Sequence, residues 1–544
     1  MTRSSHLQDE LLATGTSVSV ETLRYGRIKG GRAENGAAVF LEVPYALPPG
    51  RFQDPEPLPE DYRYEDKDYI YERSYAVQPK NDGQSAGSPF EDKVGLGEPT
   101  ENPLFVNIVA PPAFPSKTGF PVKVYIHGGF LQFGSPHGLG GQAQFVAAEW
   151  SEVWVNIGYR LSIFGFLASD QPKVAGNFGF KDQWLALLWI KDNIAAFGGD
   201  PDDIQLSGLS AGAHSVHQIL HHISLLPPGQ TSPIRSAILQ SNAIMISPKS
   251  PQDLRPQFQA IAHALGIDPT SPSALSQLRD STITPATTLT RIIETDEAGL
   301  ENGTFRGTVE RSWLPPPTTT TTATTATPDI IAWQRSGSFA HALREKGVKS
   351  IIVGDLTEEW YLYAIAHPVK NMHDVELNLR RYYQDDFVKT TLGMYAALPD
   401  GVDEGEYKKL LGRVLSDGQV HLPVRLLARD LVEAGFPVLR YEIRWTPEQG
   451  RPFGYVTHGT DRALWAFRLP TLQEDQVGVA RSWLDAIARE VEALEKAGKP
   501  LRTAREVLAL RKDKSIGWEE DARWEHYMKL RCALPGEEPD VAGN

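Results

Sequence analysis

Ile204-Gln205-Leu206-Ser207-Gly208-Leu209-Ser210-Ala211-Gly212-Ala213-His214-Ser215-Val216-His217-Gln218-Ile219-Leu220 is the stretch on which the fold turns. Its first four residues alternate like a strand. From Ala211 to Leu225 there is no proline, and apolar residues return at helical spacing (Val216, Ile219, Leu220). Between the two, Gly208-Leu209-Ser210-Ala211-Gly212 puts a serine where a strand must turn sharply into a helix, with small residues two places either side. The backbone N–H of Ala211 then lies at a helix N-terminus, where it favours developing negative charge. The same pattern recurs at Gly83-Gln84-Ser85-Ala86-Gly87. Spacing alone is a weak signal, so context decides. Ser85 sits among Pro79, Asn81, Asp82 and Pro89, which is loop chemistry, and Ser210 is the candidate nucleophile.

Outward from this stretch, β-prone runs alternate with helical ones. Strands are expected at Val18–Leu23, Ala37–Val43, Leu104–Val109, Val122–Ile126, Trp154–Ile157, Ile204–Ser207, Ala237–Gln240, Ser350–Val353 and Val438–Ile443. The clearest helices are Asp182–Phe197 and Gly212–Leu225. Alternation of this kind predicts an α/β protein, a mostly parallel central sheet flanked by helices. The Pro/Thr tract around 314–328 cannot bury a core, and a flexible insertion in one catalytic domain spanning 1–544 is expected there. A linker is disfavoured because the chemistry needs residues from both sides. From Ala480 to Lys512 the apolar spacing (Trp483, Ile487, Val491, Leu494) predicts a packed amphipathic helix pair, within a helical C-terminal region at about 475–535.

Composition narrows the function. Lys and Arg number 54 against 68 Asp and Glu, a formal charge of −14, so polyanions are repelled and no nucleic-acid partner is expected. No apolar run approaches the ~18 residues of a membrane span. Met1 to Val20 lack the order of a secretory signal, and the lone Cys532 cannot form an intrachain disulfide; both favour a reducing, cytoplasmic setting.

Several blocks resemble the type B carboxylesterase/lipase family, which also contains the cholinesterases. Phe197-Gly198-Gly199-Asp200-Pro201, Ile204 and the Ser210 turn are similar to its serine signature. Gly176-Asn177-Phe178-Gly179 with Asp182-Gln183, and Asn156, Tyr159, Arg160 and Phe164-Gly165-Phe166, resemble the preceding segments. Phe40 to Pro49 with Arg51-Phe52, and Glu101 to Asn107, resemble its N-terminal blocks. The resemblance implies the α/β-hydrolase fold with helical insertions, and carboxylic ester hydrolysis on a small-molecule ester. It also implies an oxyanion loop at His127-Gly128-Gly129-Phe130, where the N–H groups of Gly129 and Phe130 would join that of Ala211.

A serine nucleophile needs a general base oriented by a carboxylate, in the chain order serine, acid, histidine. Eleven of the fourteen histidines follow Ser210, so order alone does not choose. His458, in His458-Gly459-Thr460-Asp461 after Tyr441-Glu442-Ile443, has the best context and resembles the family's histidine loop. The acid lies in Gly354-Asp355-Leu356-Thr357-Glu358-Glu359. The resemblance points to Glu359, with Trp360 where the family usually has glycine, and Glu358 and Asp355 remain alternatives. His214, His217, His221 and His222 suggest a metal site, but they lack a carboxylate or cysteine to complete it, and core histidines are the expected reading. No cofactor or metal is required by this chemistry.

Rival readings are a cholinesterase, a lipase-like esterase for longer acyl chains, and an inactive scaffold relative. Residues 77–103 contain no tryptophan where a choline-facing one would stand, and Val77 and Pro103 occupy positions of a lipase flap's cysteines. Scaffold relatives characteristically lose the serine. The Phe130 ring is expected to narrow the space beside the substrate carbonyl, favouring esters of primary over tertiary alcohols. The acyl length, the alcohol and the oligomeric state are not legible in the chain.

Overall fold

The computed structural model describes residues 5–80, 89–315, 329–399 and 401–537. Ser85 and residues 316–328 of the Pro/Thr tract lie outside them. Twelve strands form one sheet: β1 (Ser17–Thr22), β2 (Gly26–Arg32), β3 (Ala38–Pro44), β4 (Phe105–Ala110), β5 (Phe120–Ile126), β6 (Val153–Ile157), β7 (Gly199–Leu209), β8 (Ser236–Gln240), β9 (Ser350–Leu356), β10 (Val438–Ile443), β11 (Glu506–Leu510) and β12 (Ile516–Glu520). Their order is β1-β2-β3-β4-β6-β5-β7-β8-β9-β10-β11-β12. Pairing is parallel from β6 through β11 and antiparallel on both flanks.

The central strands are apolar on both faces because helices cover both. On one face α1 (Phe178–Asn193) and α2 (Ala211–Ser224) pack against Val122, Val124, Leu206 and Leu239. On the other, Ile238, Ile352, Leu439 and Tyr441 meet a long helix, Glu474–Ala497, through the fully buried Trp483. This is the α/β-hydrolase fold.

The C-terminal region differs from the helix pair expected between Ala480 and Lys512. The first helix is present, but it ends at Gly498 (φ +64°), with Pro500 following, and Glu506–Leu510 continues as β11. Val507 to Leu510 are buried, so their apolar run has no strand period to reveal it. Within the nominally helical 475–535 the described elements are that helix, the β11–β12 hairpin, a short helix, Trp524–Leu530, and a 3-10 turn, Arg531–Ala533. β2 was also unexpected, since Gly26-Arg27-Ile28-Lys29-Gly30-Gly31-Arg32 has neither β-branched density nor alternation.

Residues that carry the resemblance are struts between segments. The Tyr159 hydroxyl donates to the His127 carbonyl (2.8 Å), beneath the Gly128-Gly129 loop. Arg160 forks onto Asp182, with both groups buried (2.8 and 2.6 Å). Arg51 is bound to Glu101 by two hydrogen bonds.

Candidate active site

Ser210 stands between β7 and α2 with φ 60°, ψ −125°, a backbone region that costs roughly 1–3 kcal/mol unless the surroundings hold it. They do. Its N–H donates to the Gln240 carbonyl at the end of β8 (2.8 Å), and its carbonyl accepts from His214 N–H one turn into α2 (3.0 Å). The flanking glycines are there for close approach. A Cβ on Gly212 would lie 2.0 Å from the Ile126 carbonyl oxygen, and one on Gly208 would lie 2.3 Å from the Gly212 carbonyl carbon. The turn is sharp because no side chain separates strand, helix and neighbouring strand.

The loop after β5 folds over this turn. A Cβ on Gly128 would meet the Leu209 carbonyl at 2.5 Å and the Ser210 Cβ at 2.9 Å. Gly129, Phe130 and Leu131 all have positive φ (118°, 58° and 65°), which carries the chain around the serine. Among the described residues the N–H groups of Gly129, Phe130 and Ala211 have no hydrogen-bond acceptor. The Phe130 ring packs edge-on to Tyr363 and His367 (5.8 and 5.7 Å between centroids) while also lining the cavity. Burial, reinforced by the nearby Arg462 charge, brings His127 down to about 4, so its ring is neutral at pH 7.

Glu359 follows β9 and His458 follows β10, so the two come together over neighbouring parallel strands. His458 Nδ1 meets Glu359 Oε2 at 2.6 Å, and Glu359 Oε1 accepts the Leu356 N–H (2.9 Å). The opposite ring nitrogen, Nε2 of His458, is buried and has no hydrogen-bond partner among the described residues. Ser210, His458, Gly128, Gly129 and Phe130 line one cavity of about 800 Å³, ample for a small organic ligand.

The other two candidate acids do different work. Glu358 accepts the Val456 N–H through Oε2 (2.6 Å) and donates its own N–H to the Val456 carbonyl (3.0 Å), bracing the histidine loop. Asp355 faces His421 (2.6 Å) and Arg425 (2.8 Å). Burial alone would raise its carboxyl, but Arg425 and the bond from His421 hold it well below the usual range. Trp360 turns away to pack edge-on against Tyr455 (5.3 Å), so the Glu359 turn accommodates a large side chain.

The four α2 histidines are packed as aromatic rings. His217 bonds Gln334 (3.0 Å) and accepts the Ile244 N–H (2.9 Å), His221 stacks on His217, and His222 stacks on Trp313. Burial pulls all four below the ordinary imidazole value.

Asp461 has no role in the sequence reading, although it stands three places after His458. It is fully buried, accepts the Trp465 Nε1–H through Oδ2 (2.9 Å), and lies within the field of Glu359 and His458. Burial first, then Glu359, pushes its carboxyl up to about 6. A charged residue amid Leu464 and Trp465 was the available signal.

The strand-turn-helix serine and the carboxylate-bound imidazole thus face one cavity of an α/β-hydrolase fold. The chain belongs to the carboxylesterase family, whose characteristic sequence it matches over residues 16–493, and is a carboxylic ester hydrolase. It is 29% identical to an uncharacterized esterase/lipase of Schizosaccharomyces pombe over 91% of this chain and 92% of that protein. It is 28% identical to a carboxylic ester hydrolase of Gibberella moniliformis over 93% and 94%. A solved PNB esterase structure superposes with a TM-score of 0.71 at 24% identity, covering 94% of this chain and 99% of that one.

Proposed function

We propose that the enzyme hydrolyses small carboxylic esters through an acyl-enzyme on Ser210. His458 takes the serine proton through Nε2 as Oγ attacks the carbonyl carbon, then delivers it to the leaving alcohol. Glu359 keeps Nδ1 protonated, which fixes the tautomer, and stabilises the imidazolium that forms. The N–H groups of Gly129, Phe130 and Ala211 receive the carbonyl oxygen as it gains charge. Water, deprotonated by His458, then releases the acid. The 2.6 Å contact between His458 Nδ1 and Glu359 carries this reading, because it leaves Nε2 as the ring's basic nitrogen within the serine's cavity.

The single cysteine suits a reducing compartment, and the reading places the enzyme in the cytosol. No helix among the described residues is long and apolar enough to cross a membrane.

Turnover of 4-nitrophenyl butyrate by the unmodified chain and by Ser210→Ala and His458→Gln variants tests the mechanism. Each variant should lose about three orders of magnitude or more in kcat while keeping the native circular dichroism. Near-normal turnover in either variant would remove that residue from the mechanism.

A further inference from the structure

The cavity lining mixes two chemistries. It includes the aromatic and aliphatic residues Phe130, Tyr361, Leu362 and Ile365. It also includes Lys93, Arg462 and Arg468, against one carboxylate among its described residues, Asp92. That is a local excess of cations in a chain of formal charge −14.

Arg462 is the key group. It lies four places after His458, at the first residue of a short helix, Arg462–Trp465, is exposed, and its guanidinium makes neither an ion pair nor a hydrogen bond among the described residues. Two glycines leave room around it. A Cβ on Gly140 would come within 3.3 Å of its Cδ and Nη1, and one on Gly459 within 3.4 Å of its Nε. Its charge is felt across the cavity. After burial, Arg462 is the next cause that brings Arg468 down to about 10, and it also lowers His127. The guanidinium of Arg462 offers a bound carboxylate a charge-assisted, planar fork.

We propose that the enzyme selects esters that carry a carboxylate, held by Arg462 while Ser210 attacks the ester carbonyl. The proposal rests on the esterase reading above and adds the substrate class. Hydrolysis of such a half-ester, the monoester of a dicarboxylic acid, consumes one water and yields an alcohol, a dicarboxylate and one proton released to solvent.

The test compares mono-ethyl esters of linear dicarboxylic acids with ethyl esters of methyl-ended acids of matching length. At low ionic strength, kcat/KM for the best-fitting half-ester should exceed that of its neutral counterpart by about tenfold or more, and salt should erode the ratio. Arg462→Leu should collapse the ratio, chiefly through KM, and Arg462→Lys should keep part of it. The ratio in the unmodified enzyme stands as evidence even if a variant fails to fold. A ratio of one or below, or one that Arg462→Leu leaves intact, overturns the proposal. So does an enzyme that turns over 4-nitrophenyl butyrate and leaves every half-ester untouched. Inactivity towards 4-nitrophenyl butyrate as well overturns the esterase reading, and the proposal with it.

Discussion

At the scale of single residues, three carboxylates within five positions differ by what they touch. Glu359 meets the imidazole, Glu358 meets backbone, and Asp355 meets guanidinium. Glu359→Gln should therefore cost up to about ten-thousandfold in kcat, because the orienting charge and the tautomer it fixes are lost. Asp355→Asn should act on stability instead, and parallel kinetics and chemical denaturation of the two variants would separate the effects. Asp461 makes a second, pH-dependent case. Its folded value of about 6 lies above the ordinary 3.8, so the folded chain holds a proton that the unfolded chain releases. Stability from this group is present below 3.8, declines as pH rises towards 6, and is lost above it. Asp461→Asn should be indistinguishable from the parent near pH 4 and more stable by ~3 kcal/mol at pH 8. Equal denaturation midpoints at pH 8 would show the carboxyl to be ionised at no cost.

Among elements, the loop after β5 carries consecutive positive φ at Gly129, Phe130 and Leu131. Phe130→Gly relieves strain at one of these positions but removes a ring that packs on Tyr363 and His367. The freed space should raise hydrolysis of tert-butyl acetate relative to ethyl acetate by about tenfold or more. Rapid cleavage of tert-butyl acetate by the unmodified enzyme would show that the ring does not restrict the alcohol. The elements also show what the sequence could and could not reveal. The Ser210 turn was legible because glycine, serine and two elements of different period fall within about twenty residues. The expected β3, β6 and β10 lie within a residue or two of their observed bounds, since their β-branched runs end at turns. β11 was missed because burial removed its alternation, and β2 because it pairs at an antiparallel flank with little apolar content. The pairing of Glu359 with His458 spans 99 positions, and spacing says nothing about contacts of that length.

Across the whole molecule, the parallel sheet is a platform whose strand ends deliver Ser210 and His458 to one cavity, and a buried ion cluster braces its neighbouring strands. Arg425, fully buried, meets Asp355 and Asp521 (both 2.8 Å), Arg440 also reaches Asp521, and Arg523 meets Glu442 (2.7 Å). The cluster ties β9 and β10 to the segment after β12. Removing one partner strands the others' charges, so Arg425→Leu should lower unfolding stability by about 3–5 kcal/mol. A change under 1 kcal/mol would mean that water reaches the cluster. The central claim, that one serine of this platform is the nucleophile, is open to a single covalent measurement. The full chain should be treated with a fluorophosphonate, digested and mapped by mass spectrometry. A stoichiometric adduct on the peptide containing Ser210, absent after Ser210→Ala, is the predicted result. An adduct on Ser85, or none in an enzyme that still cleaves esters, would contradict it.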